Sequence, residues 1–415
     1  MPGAMSTSRL VVGPVIGLVL AVLASVACQA TGGDEPVAQA APVSPVDTGP
    51  VRAQVPATEA GGPGCKARRK IEVCFSSPGT HGGTHPVVIN RMRRLFKKAR
   101  AGDSLRVAMF RWDIPGAADD LVAAQARGVH VELVADGDVL ANPVGASLVQ
   151  RIEAGDPAPG NAVVCDGACL PWTGAGPAPA GQDINHLKLI VADVRGERSV
   201  VTSSSNLAGL QYQQYNSLLR IVSPRYYKFA DAWFDALEAQ RWGATRTTLA
   251  SPPAMLYPRR GDILADTLRR VRCTPKLDRV DVHLAVIQRA DIRARLVQLH
   301  ESGCRVRVVV DRPPVEKWLE QPVHGGRLPK ALVRQVSTHD KEVVIHALVG
   351  GRPQHVVVTG TSNATCGGLH YNDEIMLRLK GKWIHDRYLR HFEDAFKHGR
   401  NSARGVPTPD YDACR

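Results

Sequence analysis

The sequence predicts an α/β protein made of two tandem copies of one domain, packed face to face. Residues 119–136 (DDLVAAQARGVHVELVAD) and 294–311 (ARLVQLHESGCRVRVVVD) align without gaps at an offset of 175 residues. Each segment reads as a helix, a glycine that stops it, and an alternating apolar strand that ends in Asp136 or Asp311. A two-fold repeat usually forms two similar domains, so symmetry-related residues are expected to meet at their interface.

Further elements flank the repeated segment in both copies. The stretches LRVAMF (105–110) and VDVHLAV (280–286) predict an upstream strand in each half. Downstream, residues 223–237 and 382–396 predict aromatic amphipathic helices whose apolar sides face a core. The predicted domains span residues 64–250 and 251–415.

Composition and charge exclude some protein classes. The chain has 415 residues, with 44% hydrophobic and 22% charged residues, so wholesale disorder is excluded. No long apolar run follows the first 30 residues, which excludes a polytopic membrane protein. The net charge of +13 favours an anionic partner, either nucleic acid, a membrane surface or a phosphate ester.

The first residues predict export. Arg9 precedes an apolar stretch, and small residues lead to Cys28, as in a secretory signal over residues 1–28. Cys28 also stands where a bacterial lipoprotein carries its lipid, so lipid anchoring, free secretion and an uncleaved anchor stay open. Residues 29–63 are rich in Ala and Pro and predict a flexible tether.

The remaining cysteines favour disulfides, since their number is even and export is predicted. Local pairing is expected for Cys65 with Cys74 and for Cys165 with Cys169, and the others can pair in several ways. A zinc site is the competing interpretation, but no CxxC pair occurs and no metal cluster is evident. The set comprises Cys65, Cys74, Cys165, Cys169, Cys273, Cys304, Cys366 and Cys414.

A second pattern recurs in both halves. His186 and Lys188 are two residues apart, as are His339 and Lys341. Residues at i and i+2 of a strand point to the same side, so each imidazole and ammonium project together. A second strand then leads to a small polar loop, which carries Ser204 and Asn206 in the first half and Thr361 and Asn363 in the second.

This doubled pattern resembles the phospholipase D superfamily, whose signature is HxKxxxxD followed by a GSxN-type loop, occurring twice. HLKLIVAD matches fully through His186, Lys188 and Asp193, and Ser203 replaces the usual Gly of the loop. The second motif keeps His339 and Lys341, but His346 stands where Asp is expected. The resemblance implies two α/β/α sandwich domains that share one active site at their pseudo-two-fold interface.

The resemblance also implies the site chemistry. His186 would be the nucleophile and form a covalent phosphohistidine, and His339 would be the general acid and then the base. The two lysines with Asn206 and Asn363 would surround the phosphoryl oxygens, Ser204 and Thr361 would contact the substrate, and Asp193 would organise the site. No cofactor is expected.

An asymmetry is expected around the histidines. Eleven residues after the motif asparagine, the second half has Glu374, where relatives often hold a carboxylate that orients a catalytic histidine. The first half has Ser217 at that spacing. The two histidines are therefore predicted to differ in their tuning, unless Glu374 only makes a surface pair.

The first half also carries an insert. Asp136 and His186 are 50 residues apart, against 28 between Asp311 and His339, and the extra residues fall within the Pro/Gly-rich stretch 156–183. Such loops often carry specificity, so Trp172 is a candidate contact to lipid or base. An inert surface loop is the alternative.

These observations together predict an exported or lipid-anchored phosphodiesterase of phospholipase D type, which hydrolyses phospholipid to phosphatidic acid and a headgroup alcohol. The alternatives are a secreted metal-independent nuclease and a non-catalytic module that binds anionic lipid or DNA. The expected partner is a phospholipid or membrane surface, with nucleic acid as the alternative substrate and no obligate protein partner.

Overall fold

The computed structural model describes residues 64–78, 86–155, 160–172, 183–259 and 261–402. The predicted signal and tether, Cys28, Cys414 and part of the Pro/Gly-rich insert lie outside these residues. All of the described residues belong to one compact unit.

The first sheet has eight strands in the order β1-β2-β8-β7-β6-β3-β4-β5. Strands β3, β4 and β5 are parallel, and the remaining pairs are antiparallel. The strands are β1 (Gly64–Arg68), β2 (Ile71–Ser76), β3 (Ser104–Met109), β4 (His130–Asp136), β5 (Asn161–Cys165), β6 (Lys188–Val194), β7 (Glu197–Ser203) and β8 (Asn216–Val222).

The second sheet has the order β14-β13-β12-β15-β16-β17-β10-β9, and β11 pairs with β15 beside this path. Its parallel strands are β12, β13 and β14. The strands are β9 (Thr248–Ala250), β10 (Pro253–Leu256), β11 (Val271–Arg272), β12 (Asp278–Leu284), β13 (Arg305–Val310), β14 (Val333–Gln335), β15 (Lys341–Val349), β16 (Arg352–Gly360) and β17 (Ile375–Lys380).

Eight α-helices cover the sheets in the described part of the chain. Four belong to each half, at corresponding places in the strand order. They are α1 (Val87–Lys98), α2 (Pro115–Ala126), α3 (Pro143–Glu153), α4 (Pro224–Glu238), α5 (Ile263–Arg269), α6 (Ala290–Glu301), α7 (Pro313–Glu320) and α8 (Lys382–His398).

The predicted repeat extends over both sheets. Strands β3 to β8 correspond to β12 to β17, and the pair β1 and β2 corresponds to β9 and β10. The two aligned segments form α2 with β4 and α6 with β13, as the sequence predicts. The predicted fold class, two tandem α/β sandwiches, is therefore confirmed, while the domain boundary at residue 250 stays a prediction; the second sheet begins at Thr248.

The core has three large apolar layers. The helices α1 to α3 pack on one side of the first sheet, and α5 to α7 pack on one side of the second. The middle layer contains α4 and α8 and draws apolar residues from both sheets, among them Trp233, Phe234, Val344 and Tyr388. The aromatic helices are thus core-facing, as expected, and this shared layer joins the halves.

Three disulfides are described. The two predicted local bonds, Cys65–Cys74 and Cys165–Cys169, are confirmed. The third joins Cys273 to Cys304, a pairing that the sequence leaves open. Among the helices of the described ranges, none is long and apolar enough to cross a membrane.

Candidate active site

The two His-x-Lys motifs meet at the interface between the halves. His186 and His339 face each other with ring centroids 6.4 Å apart. Lys188 opens β6 and Lys341 opens β15, and each ammonium donates a hydrogen bond to the carbonyl of its own histidine, at 2.8 and 2.7 Å. All four side chains are buried, so the site holds two cations in a region of little water.

The repeated strand-end aspartates hold the residues that precede each histidine. Asp136 accepts a hydrogen bond at 2.9 Å from the backbone N–H of Asn185. Asp311 accepts one at 2.9 Å from the backbone N–H of Thr338. The same contact in both halves fixes the chain just before His186 and His339. The repeat that reveals the fold therefore also positions the site.

His186 is oriented by a carboxylate from the other half of the chain. Its Nδ1–H donates to Oε1 of Glu374 at 2.7 Å, and the hydroxyl of Thr361 donates to Oε2. Burial holds the pKa of His186 well below its ordinary value, and Lys188 lowers it further. Burial raises the pKa of Glu374 to about 8, although Lys188 acts in the opposite direction.

His339 has a different partner. Its Nδ1–H donates to the backbone carbonyl of Ser204 at 2.7 Å. Burial lowers the pKa of His339 well below its ordinary value, and the charges of Lys341 and Lys188 lower it further. One histidine is thus held by a carboxylate and the other by a carbonyl, which is an asymmetry of the kind that the sequence suggests.

The first-half counterpart of Glu374 is Asn216, which corrects the assignment to Ser217. Ser204 Oγ contacts Asn216 Oδ1 at 3.1 Å, just as Thr361 contacts Glu374. The equal spacing fails because a π-helical turn over Gly367–Tyr371 precedes the second carboxylate, whereas the first half has a 3-10 turn. The side chain of Asn216 donates to backbone carbonyls and leaves His339 to the Ser204 carbonyl.

The motif asparagines lie directly after corresponding strands. Asn206 follows β7 and Asn363 follows β16. In both loops the preceding serine, Ser205 or Ser362, donates to the asparagine carbonyl at 2.8 Å. Neither amide oxygen, Oδ1 of Asn206 or Oδ1 of Asn363, has a hydrogen-bond partner within the described ranges. The loops therefore present buried amide groups with unused hydrogen-bonding capacity.

Asp193 lies away from the histidines, contrary to its expected place in the catalytic set. It comes five residues after Lys188, which is about 16 Å along the strand. Its carboxylate accepts a hydrogen bond at 2.9 Å from Arg198, its cross-strand neighbour on β7. Asp193 therefore fixes the end of the β6–β7 hairpin.

His346 occupies the corresponding place in the second half. It lies opposite His355 of β16, and the two rings stack with centroids 4.1 Å apart. A histidine stack thus replaces the Asp193–Arg198 pair, far from the reacting groups. The departure from the family motif at His346 therefore leaves the two active-site histidines undisturbed.

The described part of the insert contacts the loop that carries Glu374. The backbone N–H groups of Cys169 and Leu170 donate to the carboxylate of Asp373, at 2.5 and 3.3 Å. Trp172 packs on Tyr371 with ring centroids 5.1 Å apart. This placement of Trp172 supports the loop of Glu374; its predicted contact with substrate stays a prediction.

Two further residues lie at the site and have no motif of their own. The ring of Phe110 packs against His186 at 5.0 Å and lies below the Lys188 ammonium at 5.1 Å. The half-exposed guanidinium of Arg111 lowers the pKa of both histidines. Both residues follow β3, so only their position after a central strand could have indicated them.

Comparison with known proteins supports this assignment. A family described as "Cardiolipin synthase, PLD-like domain" matches residues 274–396. No curated protein matches the chain significantly.

Solved structures show the same fold over most of the chain. Phosphatidylserine synthase from Haemophilus influenzae Rd KW20 superposes with a TM-score of 0.54 at 12% identity, covering 82% of this chain and 89% of that one. Polyphosphate kinase from Porphyromonas gingivalis gives a TM-score of 0.50 at 10% identity and covers 79% of this chain. The alignment spans half of the kinase's length. The resemblance to the phospholipase D superfamily is confirmed.

Proposed function

We propose that this protein of the phospholipase D superfamily is a phosphodiesterase, which hydrolyses phospholipid to phosphatidic acid and a free headgroup alcohol. One observation carries the proposal: two buried histidines from separate halves face each other at 6.4 Å, each beside its own lysine. A single phosphoryl group fits between two such rings, with one ring on either side of the phosphorus.

His186 is the proposed nucleophile. Because its Nδ1–H is directed at Glu374, the lone pair of Nε2 is available to the substrate. The low pKa keeps the ring neutral, as attack requires. Nε2 forms a bond to phosphorus while the bond from phosphorus to the headgroup oxygen breaks, which gives a phosphohistidine.

His339 is the proposed acid and base. In its protonated form it donates the Nε2 proton to the departing headgroup oxygen. The neutral ring then takes a proton from water, whose oxygen attacks phosphorus and breaks the bond to His186. The bound phosphodiester anion offsets the charges of Lys188 and Lys341, and so raises the pKa of His339 when the acid is needed.

The cations and amides of the site suit an anionic substrate. Lys188 and Lys341 place two positive charges in a buried region, where an unpaired charge is costly. A phosphodiester anion would pair with them, and the amides of Asn206 and Asn363 can donate to its non-bridging oxygens. These donors would stabilise the charge that develops on the oxygens during transfer.

Phospholipid is preferred over nucleic acid as the substrate. The family description for residues 274–396 names cardiolipin synthase, which is a lipid enzyme. We also place the protein outside the cytoplasm, either secreted or anchored through Cys28. The disulfides support this location, because such bonds persist in oxidising compartments.

A paired assay tests the proposal. Wild type and His186→Ala are compared for headgroup release from phospholipid vesicles and for nicking of plasmid DNA, with His355→Gln as a control variant. Headgroup release that His186→Ala abolishes and His355→Gln retains supports the proposal. Cleavage of DNA alone would establish the nuclease instead. Binding to vesicles or DNA without turnover of either would establish a non-catalytic module.

A further inference from the structure

Four chemically related side chains lie behind the strand that carries His339. The sequence His339-Asp340-Lys341-Glu342 alternates across this strand, so the carboxylates point away from the active site. There they meet His283 of β12 and His391 of α8. All four of these side chains are buried: His283, Asp340, Glu342 and His391.

Their ligand atoms converge on one point. One nitrogen or oxygen from each residue lies within 4.8 Å of those of the other three. Nδ1 of His283 is 3.3 Å from Oε1 of Glu342 and 3.8 Å from Oδ2 of Asp340. Nε2 of His391 is 2.6 Å from the same Asp340 oxygen.

The first half shows what this layer looks like without polar groups. The strand register equates His283 with Ala108, and Asp340 and Glu342 with Leu187 and Leu189. These three first-half positions all belong to the apolar middle layer.

The helical position can be matched as well. Arg106 stacks on Phe234 and Arg307 stacks on Phe392, which equates the two phenylalanines and hence Trp233 with His391. Trp233 also belongs to the apolar layer. The second half has therefore replaced four packed apolar residues with two imidazoles and two carboxylates.

Such a replacement needs a physical reason. Two buried carboxylates near each other are costly unless they share a proton or bind a cation. The pKa of Glu342 is raised well above its ordinary value, first by burial and then by the charge of Asp340. Its second oxygen, Oε2, has no hydrogen-bond partner within the described ranges. The protein groups alone leave this carboxylate incompletely satisfied.

We propose that His283, Asp340, Glu342 and His391 bind one structural zinc ion. Two imidazoles and two carboxylates are ordinary ligands of Zn²⁺, whose charge they balance. Tetrahedral bonds of about 2.0–2.1 Å separate neighbouring ligand atoms by about 3.3 Å. The His283–Glu342 separation fits this value, and the His391–Asp340 pair would part by about 0.7 Å as the ion replaces their hydrogen bond.

The ion would support the active site without entering the reaction. Asp340 lies between His339 and Lys341 in the chain, and its Oδ1 is 3.3 Å from Oγ of Ser204, whose carbonyl holds His339. Four protein ligands close the coordination shell, as is usual for structural zinc, and leave no position for substrate. The zinc would thus fix the strand that presents His339.

Zinc content tests this inference independently of activity. Tag-free full-length protein, produced in zinc-supplemented medium and passed over a chelating resin, is assayed for metal by mass spectrometry. We expect about one zinc per chain in the wild type, and the same in His186→Ala and His355→Gln. His283→Gln and His391→Gln should lose most of it. The His186→Ala result separates this inference from the proposed enzymatic function.

A spectroscopic measurement guards against variants that do not fold. Wild-type protein produced with Co²⁺ in place of zinc should show the intense visible absorption of a four-coordinate ion. A wild type without stoichiometric zinc would overturn the inference. So would the weak spectrum of six-coordinate cobalt, or folded His283→Gln protein that retains a full equivalent of zinc.

Discussion

Glu374 accepts a hydrogen bond at 2.7 Å from Nδ1 of His186, although the two residues belong to opposite halves of the chain. The contact fixes the tautomer of His186 and directs Nε2 to the space in front of His339. The active site is therefore assembled only when both halves are in place. The first two predictions concern this pair.

The first prediction concerns turnover of Glu374→Gln. An amide can still contact Nδ1, but it carries no charge to stabilise the histidine as it takes on positive charge during attack. We expect kcat to fall about 10²-fold with little change in KM. Steady-state kinetics on a phospholipid substrate check this, with Glu197→Gln as a surface control. Unchanged turnover would mean that Glu374 does not tune His186.

The second prediction concerns pH and stability. Burial raises the pKa of Glu374 to about 8 from 4.5, so its proton is bound more tightly in the folded protein. The stabilisation from this proton is complete below pH 4.5 and is lost as the pH rises through about 8. Glu374→Gln should therefore raise the melting temperature more at pH 8.5 than at pH 5, both flagged here as about half a unit beyond those pKa limits.

The same ionisation should appear in catalysis. Only the ionised carboxylate accepts the Nδ1 proton, so kcat/KM of the wild type should rise with pH towards about 8. Loss of the His339 proton should lower it again at higher pH, which gives a bell-shaped profile. Glu374→Gln should lose the rising limb. A monotonic wild-type profile would contradict the two-histidine mechanism.

The third prediction concerns the strand-end aspartates. Asp136→Ala leaves the buried N–H of Asn185 without its acceptor, and Asp311→Ala does the same for Thr338. Each should lower the free energy of unfolding by about 1–3 kcal/mol. Asp136→Asn and Asp311→Asn keep an acceptor oxygen and should cost less. Urea unfolding measures both pairs, and equal losses for Ala and Asn would argue against this role.

The fourth prediction concerns the far ends of the motif hairpins. Asp193 pairs with Arg198 and His346 stacks on His355, at a distance from the histidines. Asp193→Asn and His346→Gln should therefore change kcat less than about twofold. A tenfold loss in either variant, with the fold retained, would show that these residues act on the site after all.

The repeat explains why so much of the fold could be predicted. Helix, glycine and strand signals recur at a fixed offset, so each half supports the interpretation of the other. The pairing of His186 with Lys188 and of His339 with Lys341 follows from strand periodicity alone. The asymmetry could not be located in the same way, because the turn before Glu374 has one more residue than the turn before Asn216.

The proposed metal ligands show another limit of sequence reasoning. His283 and His391 are 108 residues apart, and neither has a recognisable spacing from Asp340 or Glu342. Only the pairing of β12 with β15 and the packing of α8 bring them together. Phe110 was similarly hidden, because its role depends on the direction of a loop after β3.

Trapping the covalent intermediate tests the central claim, that His186 is the nucleophile, most directly. His339→Ala is mixed with a phosphatidyl p-nitrophenyl ester, whose leaving group needs no acid, and quenched within the first turnover. Because the variant lacks the base for hydrolysis, a phosphatidyl adduct should accumulate, and peptide mass spectrometry should locate it on His186. Release of nitrophenolate without an adduct on His186, or an adduct on another residue, would contradict the account.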